Sequence, residues 1–314
     1  MERLPSIPLS KRGFIFQIEH ARVEVDGGRV VLLQAEGALY KEYNLPAANT
    51  SMLLMGEGTS ITRDAARILA DNRCIVAFTG GGGSPFVSAS EETFLALTSQ
   101  DEYRPTQYMQ AWAKMFFDEK RRLETAKNLL RRRIDLTERL WEKSSAANQL
   151  GLDSYSMEKP KGQFLIDIEK SESAQALCLA EGRFAKKMYA AAAKAAGPKL
   201  NDFSRQEGKR DSSDLANSFL DHANYLAYGC AAIALHGLGI SFAFAVLHGK
   251  TRRGGLVFDV ADLIKDGLCL PIAFFTSITD QPKDSCRAAV IEAIHHMKIL
   301  DILFEEVKGL IANA

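Results

Sequence analysis

The sequence predicts an α+β protein: an N-terminal β-sheet or sandwich domain with one short helix over residues 1–98, then an all-α C-terminal domain over 104–314. Three observations carry this. Short runs of β-branched and aromatic residues fill roughly the first ninety positions; composition shifts at Ser99 to Pro105; and from Thr106 onward apolar residues recur every three or four positions. A chain of 314 residues is long enough to give each half its own core.

In the first half, Phe14 to Ile18, Ala21 to Val25 and Val30 to Leu33 read as strands, and Asp26-Gly27-Gly28 between the last two is a tight hairpin signal. Thr62 can cap a helix from Arg63 to Asn72 whose Ala66, Leu69 and Ala70 face inward, and Cys74 to Phe78 returns as a buried strand. Gly80 to Gly83 follow that strand, but no Lys-Ser or Lys-Thr comes after them, so they read as a turn rather than a phosphate cradle.

The second half is helical. Tyr108 to Lys143 carries Trp112, Met115, Leu129, Leu130, Ile134 and Trp141 at helical intervals. A helix from about Leu152 breaks near Pro160, and another spans Ser173 to Ala196. Asp214 to Leu235 bears a polar stripe of Asn217, Asp221, Asn224 and Tyr228, which faces either a polar cavity or solvent. One amphipathic helix closes the chain between Pro282 and Ala314.

Composition is that of an ordinary globular protein, 46% hydrophobic and 25% charged with zero net charge. The charge is unevenly spread: Arg104 to Lys143 holds eleven Lys or Arg against six Asp or Glu, and Lys199 to Arg210 is again basic. Such excesses suit a phosphate backbone or, equally, a solvated helix face. Five scattered cysteines, without a CxxC pair, read as reduced buried thiols. No signal-peptide core and no apolar run of bilayer length occur, so the expected location is cytoplasmic, with no membrane role.

Chemistry concentrates in Val246 to Asp266. His248 is followed by Lys250, Arg252 and Arg253, then by Asp259 and Asp262. Imidazole and carboxylates are ligands for Mn²⁺, Mg²⁺ or Zn²⁺, and the flanking cations suit phosphate. The alternative is plain: in a helix starting near Asp259, the aspartates would be N-cap and N3 residues on a solvated face that also carries Asp266. Glu181 adds weight to a site. On the 173–196 helix it lies inside the apolar stripe of Leu177, Cys178, Phe184, Ala185, Met188 and Ala192. Arg183, Lys186 and Lys187 project elsewhere and are weaker candidates for DNA contact. A carboxylate in a core must be protonated, paired across helices or bound to a cation.

In order and spacing, Glu181 in LAEGRFAKKMY, the helix FLDHANYLAYG, His248 in VLHGKTRRGG and Asp259 and Asp262 in LVFDVADLIKD resemble the metal-binding pattern of the first CRISPR-associated protein family, the spacer integrase of CRISPR adaptation. The run EYNLPAANTSMLLMGEGTSITRDAARILADNRCIVAFTGGGGSP and the EYRPTQYMQ after it are similar to the type I-F subgroup. The resemblance spans about Lys11 to Asp301. It implies an N-terminal domain that forms a homodimer, and a helical domain that holds one divalent cation, Mg²⁺ or Mn²⁺. Glu181, His248 and Asp262 would be the ligands, with Asp259 a fourth catalytic acid. It also implies action on double-stranded DNA, both spacer donor and CRISPR repeat, with a DNA 3′-hydroxyl as nucleophile. The implied partner is a small ferredoxin-like protein fused to a helicase-nuclease. Lys250, Arg252 and Arg253 are the expected phosphate contacts. Two rival readings remain at this point: a structure-selective repair nuclease sharing the same site, and a non-catalytic DNA-binding scaffold with a structural acid cluster.

Overall fold

The computed structural model describes residues 7–8, 11–36, 39–80, 84–85, 106–206, 214–249, 254–279 and 283–312. The chain forms two compact units, residues 1–104 and 105–314, each described by itself.

In the first unit, strands β1 (Phe14–Ile18), β5 (Thr50–Met55), β7 (Ile75–Gly80) and β8 (Ser84–Pro85) form one sheet in that order. Strands β4 (Leu39–Leu45), β3 (Arg29–Glu36), β2 (Ala21–Asp26) and β6 (Ser60–Ile61) form the other. Every residue of β5 is buried, as its Met- and Leu-rich run requires of a strand flanked by parallel neighbours on both sides. Asp26 pairs with Arg29 across the β2–β3 turn, where Gly27 and Gly28 both take positive φ, a conformation open to glycine at little cost.

Helix α1 (Arg63–Asp71) starts where Thr62 accepts a hydrogen bond from the Ala65 amide. It buries Ala65 and Leu69 against Val23, Val30, Leu53 and Val76, so Ala65 takes the inward place expected of Ala66 and Ala70.

The described secondary structure of the second unit is helical. Helices α2 (Gln107–Phe117) and α3 (Glu119–Lys143) are separated at Asp118, whose carboxylate accepts the Lys120 and Arg121 amides and caps α3. After α4 (Ser145–Leu150) comes α5 (Ser154–Lys170), which runs through Pro160, contrary to the break expected there. Helices α6 (Ala174–Ala196) and α7 (Leu215–Gly237) follow, and α7 is buried on most of its surface. The expected single closing helix is two, α10 (Lys283–His296) and α11 (Ile299–Ala312), split at Lys298 with its left-handed φ of 56°.

Between α7 and α10 the chain forms α8 (Gly255–Ile264), a π-helical turn (Lys265–Cys269) and α9 (Leu270–Ile278). The π turn has a sequence cause. The Leu270 amide reaches back five residues to the Lys265 carbonyl, and Pro271 has no N–H to offer the Asp266 carbonyl. Trp141 on α3 supplies the missing donor, its Nε1 lying 2.9 Å from Asp266 O. Gly267 makes this approach possible: a Cβ there would stand 2.7 Å from Leu140 Cδ1 and 3.2 Å from Thr137 Cα.

Candidate active site

Helix α8 begins four residues before the start expected at Asp259, because Gly254 adopts a left-handed conformation (φ 67°) and Gly255 fits beneath the preceding loop. A Cβ on Gly255 would meet Ala245 Cβ at 2.9 Å and His248 O at 3.0 Å. Asp259 is thereby mid-helix rather than an N-cap. Nor is it on a solvated face: Asp259, Asp262 and Asp266 are 0%, 2% and 4% exposed. This corrects the capping alternative.

The loop carrying His248 is pinned at several points. Trp112 Nε1 donates to Phe244 O at 3.0 Å, and the Cys178 thiol donates to Leu247 O at 3.5 Å. Asp259 does most of the holding. Its Oδ2 accepts the amides of Val246 (2.7 Å) and Leu247 (3.0 Å), while Oδ1 accepts the His248 amide (3.0 Å) and lies 2.7 Å from His248 Nδ1. A carboxylate so committed orients the histidine, so its role is positioning.

Burial disfavours a charged His248, but the hydrogen bond to Asp259 and the nearby carboxylates of Asp262 and Glu181 outweigh it and raise the imidazole pKa above its ordinary value.

Glu181, His248 and Asp262 line one cavity of about 430 Å³ together with Arg133, Lys265 and Asp266. The spacing on α8 and the π turn brings Asp262, Lys265 and Asp266 to this wall, and α6 brings Glu181 to the other. Arg133 on α3 is 1% exposed and joins the two walls. Its Nη1 donates to Glu181 Oε1 at 2.7 Å and lies 3.8 Å from Asp262 Oδ2, and its Nε donates to Asp266 Oδ2 at 2.7 Å. The guanidinium also stands over the Phe184 ring, 5.6 Å from its centroid.

Lys265 Nζ pairs with Asp262 Oδ1. Burial alone would push the Asp262 carboxyl up, but Lys265 and Arg133 overcome that and hold it below the ordinary carboxylate range. Burial likewise disfavours the charges of Arg133 and Lys265, and the surrounding carboxylates keep both firmly protonated.

The donor set suits a hard divalent cation: two carboxylates and an imidazole whose Nδ1 is held by an acid, which leaves the ligand role to Nε2. As the side chains stand, however, no three His, Cys, Asp or Glu groups converge on one metal position among the described residues. Arg133 and Lys265 engage the carboxylates instead.

The sequence profile of the CRISPR associated protein Cas1 family matches residues 15–274. A CRISPR-associated endonuclease Cas1 of Pseudomonas aeruginosa (strain UCBPP-PA14) is 41% identical over 310 residues, covering 97% of this chain and 94% of the relative. The chain belongs to the Cas1 family. A second Cas1 endonuclease, from Pectobacterium atrosepticum, is 38% identical over 96% of this chain and 92% of its own. Among solved structures, a TtCas1–DNA complex superposes with a TM-score of 0.68 at 25% identity, covering 94% of this chain and 90% of that one. A casposase bound to an integration product shares the fold, with a TM-score of 0.69 at 16% identity over 95% and 90% of the two chains.

Glu181, His248 and Asp262 do share a cavity, and Asp259 supports them from behind. The polar stripe of α7 faces inward: Asn224 and Tyr228 line the same cavity, and Asn217 is fully buried. Lys250, Arg252 and Arg253 lie outside the described residues, as do Gly81 to Gly83.

Among the cavity residues that the sequence does not single out are two arginines and Lys265. Arg133 sits in a helix so rich in arginine that nothing singles it out, although its neighbours Leu129, Leu130, Ile134 and Leu136 are all buried. Arg205 comes from the basic loop after α6 and also lines the cavity; its Nη2 donates to Asp221 Oδ1 (2.5 Å) and its Nη1 to Asn217 Oδ1 (2.9 Å).

Proposed function

We propose that this chain is a divalent-metal-dependent DNA strand-transfer enzyme that inserts new spacers into a CRISPR array. The observation that carries the proposal is the shared cavity of Glu181, His248 and Asp262 in a chain of the Cas1 family. In this reading those three residues hold one Mg²⁺ or Mn²⁺, and a bound ion would supply Lewis acidity toward a phosphodiester.

The reaction is a transesterification. A donor DNA 3′-hydroxyl gives up its proton and attacks a phosphorus of the target strand, a new P–O bond forms, and the original P–O3′ bond breaks to release a 3′-oxyanion that takes up a proton to become a new 3′-hydroxyl. No protein nucleophile is needed.

The protein's own groups have distinct parts. Asp259 fixes the His248 ring. Lys265 and Arg133 keep positive charge beside the acids, so a phosphate entering the cavity meets cations as well as carboxylates. Arg205 and Lys186, both on the cavity lining, are further contacts for the DNA backbone, alongside the basic turn of Lys250, Arg252 and Arg253. The DNA in the TtCas1 complex supports a DNA substrate here. A homodimer, a ferredoxin-like partner fused to a helicase-nuclease and a cytoplasmic location belong to the same reading.

A second reading, hydrolysis with water in place of the 3′-hydroxyl, is favoured by one observation, the endonuclease designation of both close relatives. A plasmid assay with a labelled donor duplex separates the two. Covalent joining of the donor 3′ end supports strand transfer, whereas cleavage without joining supports the nuclease.

A further inference from the structure

The acids of this site are not waiting open for a metal. A fully buried arginine already binds two of them and approaches a third, from a helix that contributes no acid of its own to the cavity. Arg133 reaches Glu181 on α6, Asp262 on α8 and Asp266 in the π turn, so one guanidinium ties three separate elements together. The cations on the lining are Arg133, Lys265, Lys186 and Arg205; the acids are Glu181, Asp262 and Asp266, with Asp259 behind His248.

We propose that Arg133 is a resident cation of the acid site: it holds Glu181, Asp262 and Asp266 together before any divalent ion arrives and releases Glu181 when one binds. By doing so it sets the metal affinity of the site and limits it to a single ion. The inference rests on the metal-dependent reading above and deepens it. Four features support it.

The guanidinium occupies the space between the ligand carboxylates, and as the side chains stand no three acidic or imidazole groups converge on an ion. Its delocalised charge and planar fork suit two carboxylates at once, which a lysine ammonium matches less well. Its anchor on Asp266 is independent of the ligands: it can give up Glu181 and keep the 2.7 Å bond from Nε. Asp266 is in turn held from behind through its carbonyl by Trp141. A burial of this kind is costly for both charges unless each is matched, so the arrangement is demanding to retain if it only fills space.

Arg133 is a positioning residue in this account. A purely architectural arginine and a resident cation differ in one respect: the first destabilises the protein equally with and without metal when replaced, and the second makes the metal-free protein depend on metal.

The test is Mn²⁺ binding, followed by electron paramagnetic resonance of the unbound ion, together with thermal unfolding with and without Mn²⁺. It compares the wild type, Arg133→Gln and the charge-retaining Arg133→Lys. The expected wild type binds one Mn²⁺ per chain. Arg133→Gln removes a like charge a few ångströms from the incoming ion, so it should bind Mn²⁺ at least roughly tenfold tighter or take up a second ion. Its metal-free form should melt lower, with Mn²⁺ restoring most of the loss. Arg133→Lys should fall between the two.

If Arg133→Gln folds only with Mn²⁺ present, the inference stands. If it folds under neither condition, Arg133→Lys decides by the same metal rescue. Unchanged affinity and stoichiometry in the variants, with equal destabilisation in both conditions, would overturn the resident-cation role while leaving the metal reading intact. Absence of specific Mn²⁺ binding by the wild type would instead remove the metal reading itself.

Discussion

Asp259 Oδ1 lies 2.7 Å from His248 Nδ1, and the same carboxylate receives three consecutive backbone amides, from Val246 to His248. One fully buried acid thus fixes both the path of a loop and the orientation of the imidazole that the loop carries. Asp259→Asn keeps the size but turns an acceptor into a partial donor against those amides. The expected outcome is a loss of about 10–100-fold in metal affinity or activity, typical of residues that orient a ligand histidine. Nuclear magnetic resonance titration of the metal-free variant should show the His248 imidazole at a lower pKa than in the wild type.

The raised His248 pKa has a consequence for stability. The folded state binds this proton more tightly than the unfolded state, so its contribution is fully present below the ordinary histidine value of about 6.5 and is lost as pH rises through the raised folded value. Metal-free protein should therefore lose stability across that window, and Asp259→Asn should flatten the profile. Chemical denaturation in chelator-containing buffers from pH 5 to 9 measures both. A wild-type profile that rises through the same window would contradict the pairing.

Gly267 sits where α3 meets the π turn, and a methyl group there would press on Leu140 and on the α3 backbone at Thr137. Gly267→Ala should cost about 1–3 kcal/mol, the usual range for overpacking. Only a small part of that should return in the double variant with Leu140→Ala, which removes the Leu140 Cδ1 contact at 2.7 Å but keeps Leu140 Cβ at 2.8 Å and the Thr137 backbone at 3.2 Å. A double-mutant cycle from urea unfolding reads the coupling; strict additivity would mean that the π turn relaxes away from α3 rather than against it.

Asn217, fully buried, uses both ends of its amide to hold the loop before α7. Its Oδ1 accepts from Arg205 Nη1 and the Gln206 amide, and its Nδ2 donates to Ser204 O and Asp214 Oδ2. Asn217→Ala should cost about 1–3 kcal/mol through the groups left unpaired, with faster hydrogen exchange over 201–206. Exchange unchanged in that segment would show that Asn217 does not hold the loop.

How much of this was readable beforehand depends on which forces act locally. Glu181 could be found because a single carboxylate interrupts an otherwise regular apolar stripe, and that anomaly depends only on helical period. The β2–β3 hairpin could be found because two glycines announce a turn that other residues resist. The answer to what meets Glu181 was not readable, because Arg133 is 48 residues away on a helix with many similar arginines. The capping alternative for Asp259 fails because the start of α8 is set by Gly254 and Gly255 packing under a loop, a tertiary fit rather than a capping residue. Pro160 misled for a related reason: local sequence argues for a break, but the burial of Met157, Phe164 and Ile168 on one face carries α5 through it.

The central claim is best tested by strand transfer on a supercoiled plasmid bearing a CRISPR repeat, with a labelled short duplex and Mn²⁺, with and without the adaptation partner. Wild type is compared with Glu181→Ala, His248→Ala and Asp262→Ala, each checked for retained DNA binding. The account predicts donor joined covalently to plasmid by the wild type alone, and only with a divalent ion present. Joining that persists in all three variants or in chelator, or no metal-dependent product from a wild type that still binds DNA, would contradict it.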